Sequence, residues 1–126
     1  DDVGDALLRE QFGVTLSQYL FLAVLADLDA PDITEQARCL GVTKAAVSKR
    51  LPSFVQAGWV RTGTDPTHAR RVVLHLTDTG TRLVADAGQV LDAEFTAMAA
   101  RLTDIDLDAL HQTLKTLLAT LHEKDR

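Results

Sequence analysis

The chain has 126 residues, 46% of them apolar, with a net charge of −5 and a single cysteine. That length suits one compact domain with a core of its own and is too short for two independent ones. No apolar run approaches a membrane span, no signal peptide is visible, and one cysteine excludes an internal disulfide, so a reducing cytoplasm is expected.

In chain order, Val3, Ala6, Leu7 and Phe12 are apolar positions of a short first helix, expected to join a subunit interface. The chain begins at Asp1 rather than methionine, which leaves a trimmed N-terminus open. The next informative stretch is Ile33 to Leu51. Ala37, Gly41 and Val47 stand four and six residues apart. That spacing puts a small residue where two helices cross, a glycine at the bend and an apolar side chain beneath it. Thr43 is placed to cap the second helix. Val47 and Leu51 are expected inside, which leaves Thr43, Lys44, Ala45, Ala46, Ser48, Lys49 and Arg50 on an outward face. Alanines allow close approach to a major groove, serine bonds a phosphate or base edge, and lysine or arginine reaches guanine or backbone. An ordinary solvated basic helix is the alternative. Pro52 removes an amide donor inside this helix at a cost of about 3 kcal/mol, so a bend is expected there, turning Phe54 back to the core.

Trp59, Val60 and Arg61 open a strand, Gly63 to Thr67 supply turn chemistry, and Val72, Leu74 and Leu76 alternate with Val73 and His75 in a second strand. The hairpin tip carries His68, Arg70 and Arg71. Arginine on such a tip can enter a narrow minor groove, or merely keep an edge strand soluble.

Beyond Gly80, Leu83, Ala87, Val90, Leu91, Phe95, Met98 and Leu102 recur at helical intervals. Thr103 and Asp106 then resemble a capping box that opens a last helix. That helix carries Leu107, Leu110, Leu114, Leu117 and Leu121, with Leu118 beside them. A leucine seam of this kind asks for a partner, and another subunit is the expected one; intramolecular core is the alternative.

Charge is segregated along the chain. From Arg38 to Arg82 eight Lys or Arg face two Asp, a local +6, while the remainder holds five basic and sixteen acidic residues, a local −11. A basic lobe can approach DNA while the acidic part faces away.

No catalytic set emerges, and the protein is read as a non-enzyme. His68, His75, His111 and His122 lack ligand-type spacing to Cys39 or to paired carboxylates, so neither metal nor cofactor is expected. There is no phosphate-cradling glycine loop and no nucleophile motif. Cys39, next to Arg38, is the one candidate for oxidant sensing, because a neighbouring cation favours thiolate; a partly buried, inert thiol is the alternative.

Taken together, Thr15-Leu16-Ser17-Gln18, Ile33-Thr34-Glu35-Gln36-Ala37 to Gly41-Val42-Thr43, Val47-Ser48-Lys49-Arg50, Gly58-Trp59-Val60, Arg70-Arg71 and Leu76-Thr77-Asp78-Thr79-Gly80 resemble the MarR (multiple antibiotic resistance regulator) family over nearly the whole chain. The resemblance implies a mainly α fold with a small β-hairpin wing: a winged helix-turn-helix lobe at 15–80 between dimerisation helices at 1–14 and 81–126. It also implies a homodimer on a pseudo-palindromic DNA operator, usually a repressor relieved by a small ligand or by oxidation. A pocket for that ligand would draw on Phe12, Tyr19, Leu22 and Leu83. Family wings commonly brace the tip arginine with an aspartate two residues earlier. Here that place falls on His68, so either Asp65 reaches back to serve as the brace or His68 itself touches phosphate. A thiol-based sensor using Cys39 and a winged-helix protein-interaction module without DNA binding are the competing readings.

Overall fold

The computed structural model describes residues 2–101 and 107–124. In order these form α1 (Asp2–Phe12), α2 (Leu16–Asp27), α3 (Ile33–Leu40), α4 (Lys44–Gln56), β1 (Val60–Asp65), β2 (His68–Leu76), α5 (Asp78–Arg101) and α6 (Leu107–Lys124). The chain divides into two compact units, Asp1–Leu91 and Asp92–Arg126, with the boundary inside α5.

From α2 to α5, each helix starts where a side chain satisfies a free amide. Thr15 caps α2 in a reciprocal capping box with Gln18, and the Leu16 amide donates to Asp5 of α1 at 2.7 Å. Asp32 caps α3 by accepting from the Glu35 amide at 2.8 Å. That helix ends at Gly41, whose φ of 72° is the left-handed conformation expected of the bend. Ala37 is buried beside it, as the helix crossing requires.

The main core lies between α2, α3, α4 and the hairpin. Phe21 and Phe54 stack at its centre with ring centroids 4.3 Å apart. α4 continues unbroken through Pro52, where a bend was expected. Phe54 needs no bend to reach the core: it follows Val47 by two turns and therefore lies on the same buried face. Pro52 and Ser48 are exposed, so water can serve the Ser48 carbonyl that loses its amide partner.

The two strands pair antiparallel from Val60 opposite Leu76 to Thr64 opposite Val72. Gly63 and Thr64 thus belong to β1, and the turn is tighter than expected. The register then jumps to Asp65 opposite His68, which leaves residues 69–71 with no partner on β1. A third segment flanks β2: the Leu74 amide donates to Pro31 at 2.8 Å, and Asp32 bridges Val73. Covered on both faces, neighbouring Val73 and Leu74 are buried together.

α5 begins at Asp78, ahead of the expected Gly80 boundary. Thr77 sets this start by accepting from the Gly80 amide while its hydroxyl donates to the Gly58 carbonyl. In α1 Leu8 is buried and packs with Val14 and Ala87; Ala6 is exposed, and the Val3 side chain lies outside the described residues.

In the second unit, Leu110, Leu114, Leu117 and Leu118 of α6 are 45% to 57% exposed, and Phe95 of α5 is 69% exposed. Leu102, the Thr103–Asp106 capping box and the side chains of Leu107 and Leu121 lie outside the described residues.

Candidate nucleic-acid interface

Thr43 holds α4 at its N-terminus, its hydroxyl accepting from the Ala46 amide at 3.0 Å. Val47, Leu51 and Phe54 turn inward. Thr43, Lys44, Ala45, Ser48 and Lys49 are exposed and share the outward surface with half-buried Ala46. No carboxylate occurs on this helix, so its first turns present small groups and two ammonium ions.

Arg50, expected with them, lies elsewhere. It follows Val47 by three residues and precedes Phe54 by four, which puts it at the rim of the buried stripe. Its guanidinium sits 5.2 Å from the Phe21 ring centre and 5.6 Å from that of Phe54. One nitrogen, Nη2, donates to both the carbonyl and the hydroxyl of Ser17, each at 3.1 Å. The cation therefore joins α4 to α2.

Arg71 is engaged inside the lobe as well. Its Nε donates to Asp32 at 2.9 Å, Nη1 to Asp65 at 2.8 Å and Nη2 to Glu35 at 2.6 Å. Asp65 does serve as a brace, but for Arg71 rather than Arg70. Hydrogen bonds from the Thr67 hydroxyl and amide, with Arg71 in support, hold the Asp65 carboxyl down at about 2. The Glu35 amide and then Arg71 likewise hold Asp32 below the ordinary carboxylate range, against a partial desolvation that pushes it up. Arg71 in turn is held above its ordinary value, by Asp32 first and Asp65 second.

The wing tip is thereby tied to the start of α3. Arg70, next to Arg71 in the unpaired stretch, is exposed, and so is His68 opposite Asp65. Sequence reasoning missed Asp32 and Glu35 as partners of the wing. The signal was present: Asp-x-x-Glu is the spacing of a helix start whose two acids face outward together.

Of the four residues expected around a ligand, Leu22 is fully buried in the main core, Phe12 and Tyr19 pack against the cluster of Leu8, Val14 and Ala87, and Leu83 packs against both. Cys39 is exposed on α3, not partly buried. Among the described residues no group of three or more His, Cys, Asp or Glu side chains is arranged to hold a metal ion, and no helix is long and apolar enough to cross a membrane. His111 is exposed; the His122 side chain lies outside the described residues.

A capped helix over a tight turn, followed by a braced two-stranded hairpin, defines a winged helix-turn-helix protein. Residues 12–71 match the family model described as MarR family. A putative transcriptional regulatory protein for the hcr operon of Thauera aromatica is 29% identical over 105 residues, 83% of this chain. The chain spans 63% of that relative's length. Among solved structures, the S. aureus MepR–DNA complex is 24% identical with a TM-score of 0.83, covering 95% of this chain and 88% of the other. Streptococcus pneumoniae FabT in complex with DNA is 16% identical with a TM-score of 0.84, covering 96% and 86%. At these identities the two structures establish the shared fold.

Proposed function

We propose that this protein is a homodimeric, sequence-specific DNA-binding transcriptional regulator, a repressor relieved by a small-molecule ligand. The observation that carries the reading is the carboxylate-free outward surface of α4, with Lys44, Ala45, Ser48 and Lys49 exposed, accompanied by exposed Arg70 on a wing of fixed attachment. Small residues admit the helix to a major groove, and the cations answer the phosphates. That MepR and FabT were each solved on DNA with the same fold supports the reading.

Pairing rests on the exposed leucines of α6, which have the spacing of a subunit seam. Residues 1–14 and 81–126 are then the dimerisation segments and 15–80 the reading lobe. Two lobes on one base place the two reading helices in successive major grooves about 34 to 36 Å apart. A ligand that prefers a different lobe spacing weakens DNA binding by its differential affinity for the two arrangements.

The test is a mobility-shift titration against the DNA flanking the protein's own gene, with unrelated competitor, over a salt series. A shift that survives competitor and weakens linearly with log salt is expected. Binding with no preference for any duplex would leave a protein-interaction module instead.

A further inference from the structure

Five cations, Lys44, Lys49, Arg50, Arg70 and Arg71, fall within the segments that would meet DNA, yet the structure treats them unequally. We infer that Arg50 and Arg71 are positioning residues that set the reading helix and the wing, and that Lys44, Lys49 and Arg70 are the phosphate-neutralising cations of the lobe. The inference rests on the proposed DNA-binding function and assigns its electrostatics residue by residue.

For Arg71 the argument is charge. One guanidinium meets three carboxylates at 2.6 to 2.9 Å, so the group as a whole carries a formal −2. A phosphate approaching it meets no unspent positive charge. What the group does offer is geometry, because a planar fork bonded in three directions fixes β2 against the start of α3. Arg70, its neighbour in the chain, is left exposed.

For Arg50 the argument is placement. Its guanidinium covers the edge of the stacked Phe21–Phe54 pair and is pinned to Ser17. Phe54 lies on the reading helix itself, one turn beyond Arg50, and Ser17 lies on the first turn of α2. The contact therefore fixes the reading helix against α2 from the side opposite Ser48. A lysine does not reproduce it: an ammonium is a compact, strongly hydrated point charge, whereas the delocalised guanidinium packs beside both rings while donating to Ser17.

The experiment measures operator and unrelated-duplex affinity of the full chain over a salt series for Arg50→Gln, Arg50→Lys, Arg71→Gln, Arg71→Lys, Asp65→Asn and Arg70→Gln, each first checked for an intact melting transition. Loss of a true phosphate contact lowers the slope of log affinity against log salt by about 0.9 per lobe. Arg70→Gln is expected to show that drop. Arg50→Gln and Arg71→Gln are expected to keep the wild-type slope while the operator-to-unrelated preference falls roughly tenfold. The lysine variants are expected to lose the same preference despite their retained charge. Asp65→Asn removes a negative charge from the DNA side, so pure electrostatics would strengthen binding, whereas a positioning role lowers the preference.

A slope reduced by about 0.9 per lobe in Arg50→Gln or Arg71→Gln, or full rescue by lysine, overturns the assignment. If a glutamine variant does not fold, the lysine variant and Asp65→Asn decide alone. Absence of any duplex preference in the wild-type protein would instead defeat the proposed function, which is a different result.

Discussion

Asp32 uses its two carboxylate oxygens for two different elements: Oδ1 accepts from the Glu35 amide at 2.8 Å to start α3, and Oδ2 accepts from Arg71 Nε at 2.9 Å to hold the wing. The helix cap and the hairpin brace are one residue. Asp32→Ala is therefore expected to cost about 1 kcal/mol through the cap alone, and also to loosen the wing. Denaturant unfolding would report the first effect and proteolytic nicking within 63–71 the second.

The acid limb of stability is expected to carry the signature of Asp65. Its carboxyl is held at about 2 in the folded protein against 3.8 when free, through Thr67 first and Arg71 after. A lowered folded-state value gives stability that is complete above 3.8 and is lost as pH falls through about 2. Unfolding free energy measured across that window should fall less steeply in Asp65→Asn than in the wild-type protein.

Gly80→Ala is expected to destabilise the lobe by about 2 kcal/mol or more, because a methyl group there runs into the Trp59 carbonyl. Gly41→Ala meets nothing within 4 Å but must hold a φ of 72°, which costs about 1 to 2 kcal/mol. The midpoints of urea unfolding should rank wild type, Gly41→Ala, Gly80→Ala.

Gln36 is fully buried, with Nε2 donating to the Phe21 carbonyl at 2.9 Å and Oε1 unpaired. An orphaned buried acceptor costs about 1 to 3 kcal/mol. Gln36→Met keeps the length and removes the orphan, so its melting temperature is expected to match or exceed that of the wild-type protein. A large fall would mean that the bond to Phe21 outweighs the orphan.

Leu114→Glu combined with Leu117→Glu puts charge into the exposed seam of α6. Sedimentation is expected to change from dimer to monomer, with operator binding lost at the same concentration and the melting of the winged lobe little changed.

Much of this was legible in the sequence. Gly41 announced the bend through its backbone freedom, Thr43 the cap, and Val47 with Leu51 the buried face of α4. Local patterns of this kind report local geometry, so they locate elements well. They served less well for arginine, whose long side chain can turn outward or fold back, a choice made by groups distant in sequence: Ser17 stands 33 residues before Arg50, and Asp32 39 before Arg71. The helix expected to bend at Pro52 runs on to Gln56, with Leu51 and Phe54 on either side of the proline both in the core. The hairpin turn was overestimated because Gly63 looks like punctuation but sits in β1 opposite Val73.

The root of the hairpin is bolted to the long helix that follows it. Thr77 bonds to the Trp59 carbonyl through its amide and to the Gly58 carbonyl through its hydroxyl, and Gly80 lies against Trp59 with no room for a side chain. The hairpin is thus fastened at its root to α5 and near its tip, through Arg71, to α3; without the tip contact the root would be left as a pivot. Six residues of strand reach about 20 Å, so a tilt of about five degrees at the pivot sweeps the far end through about 2 Å, more than half the length of a hydrogen bond.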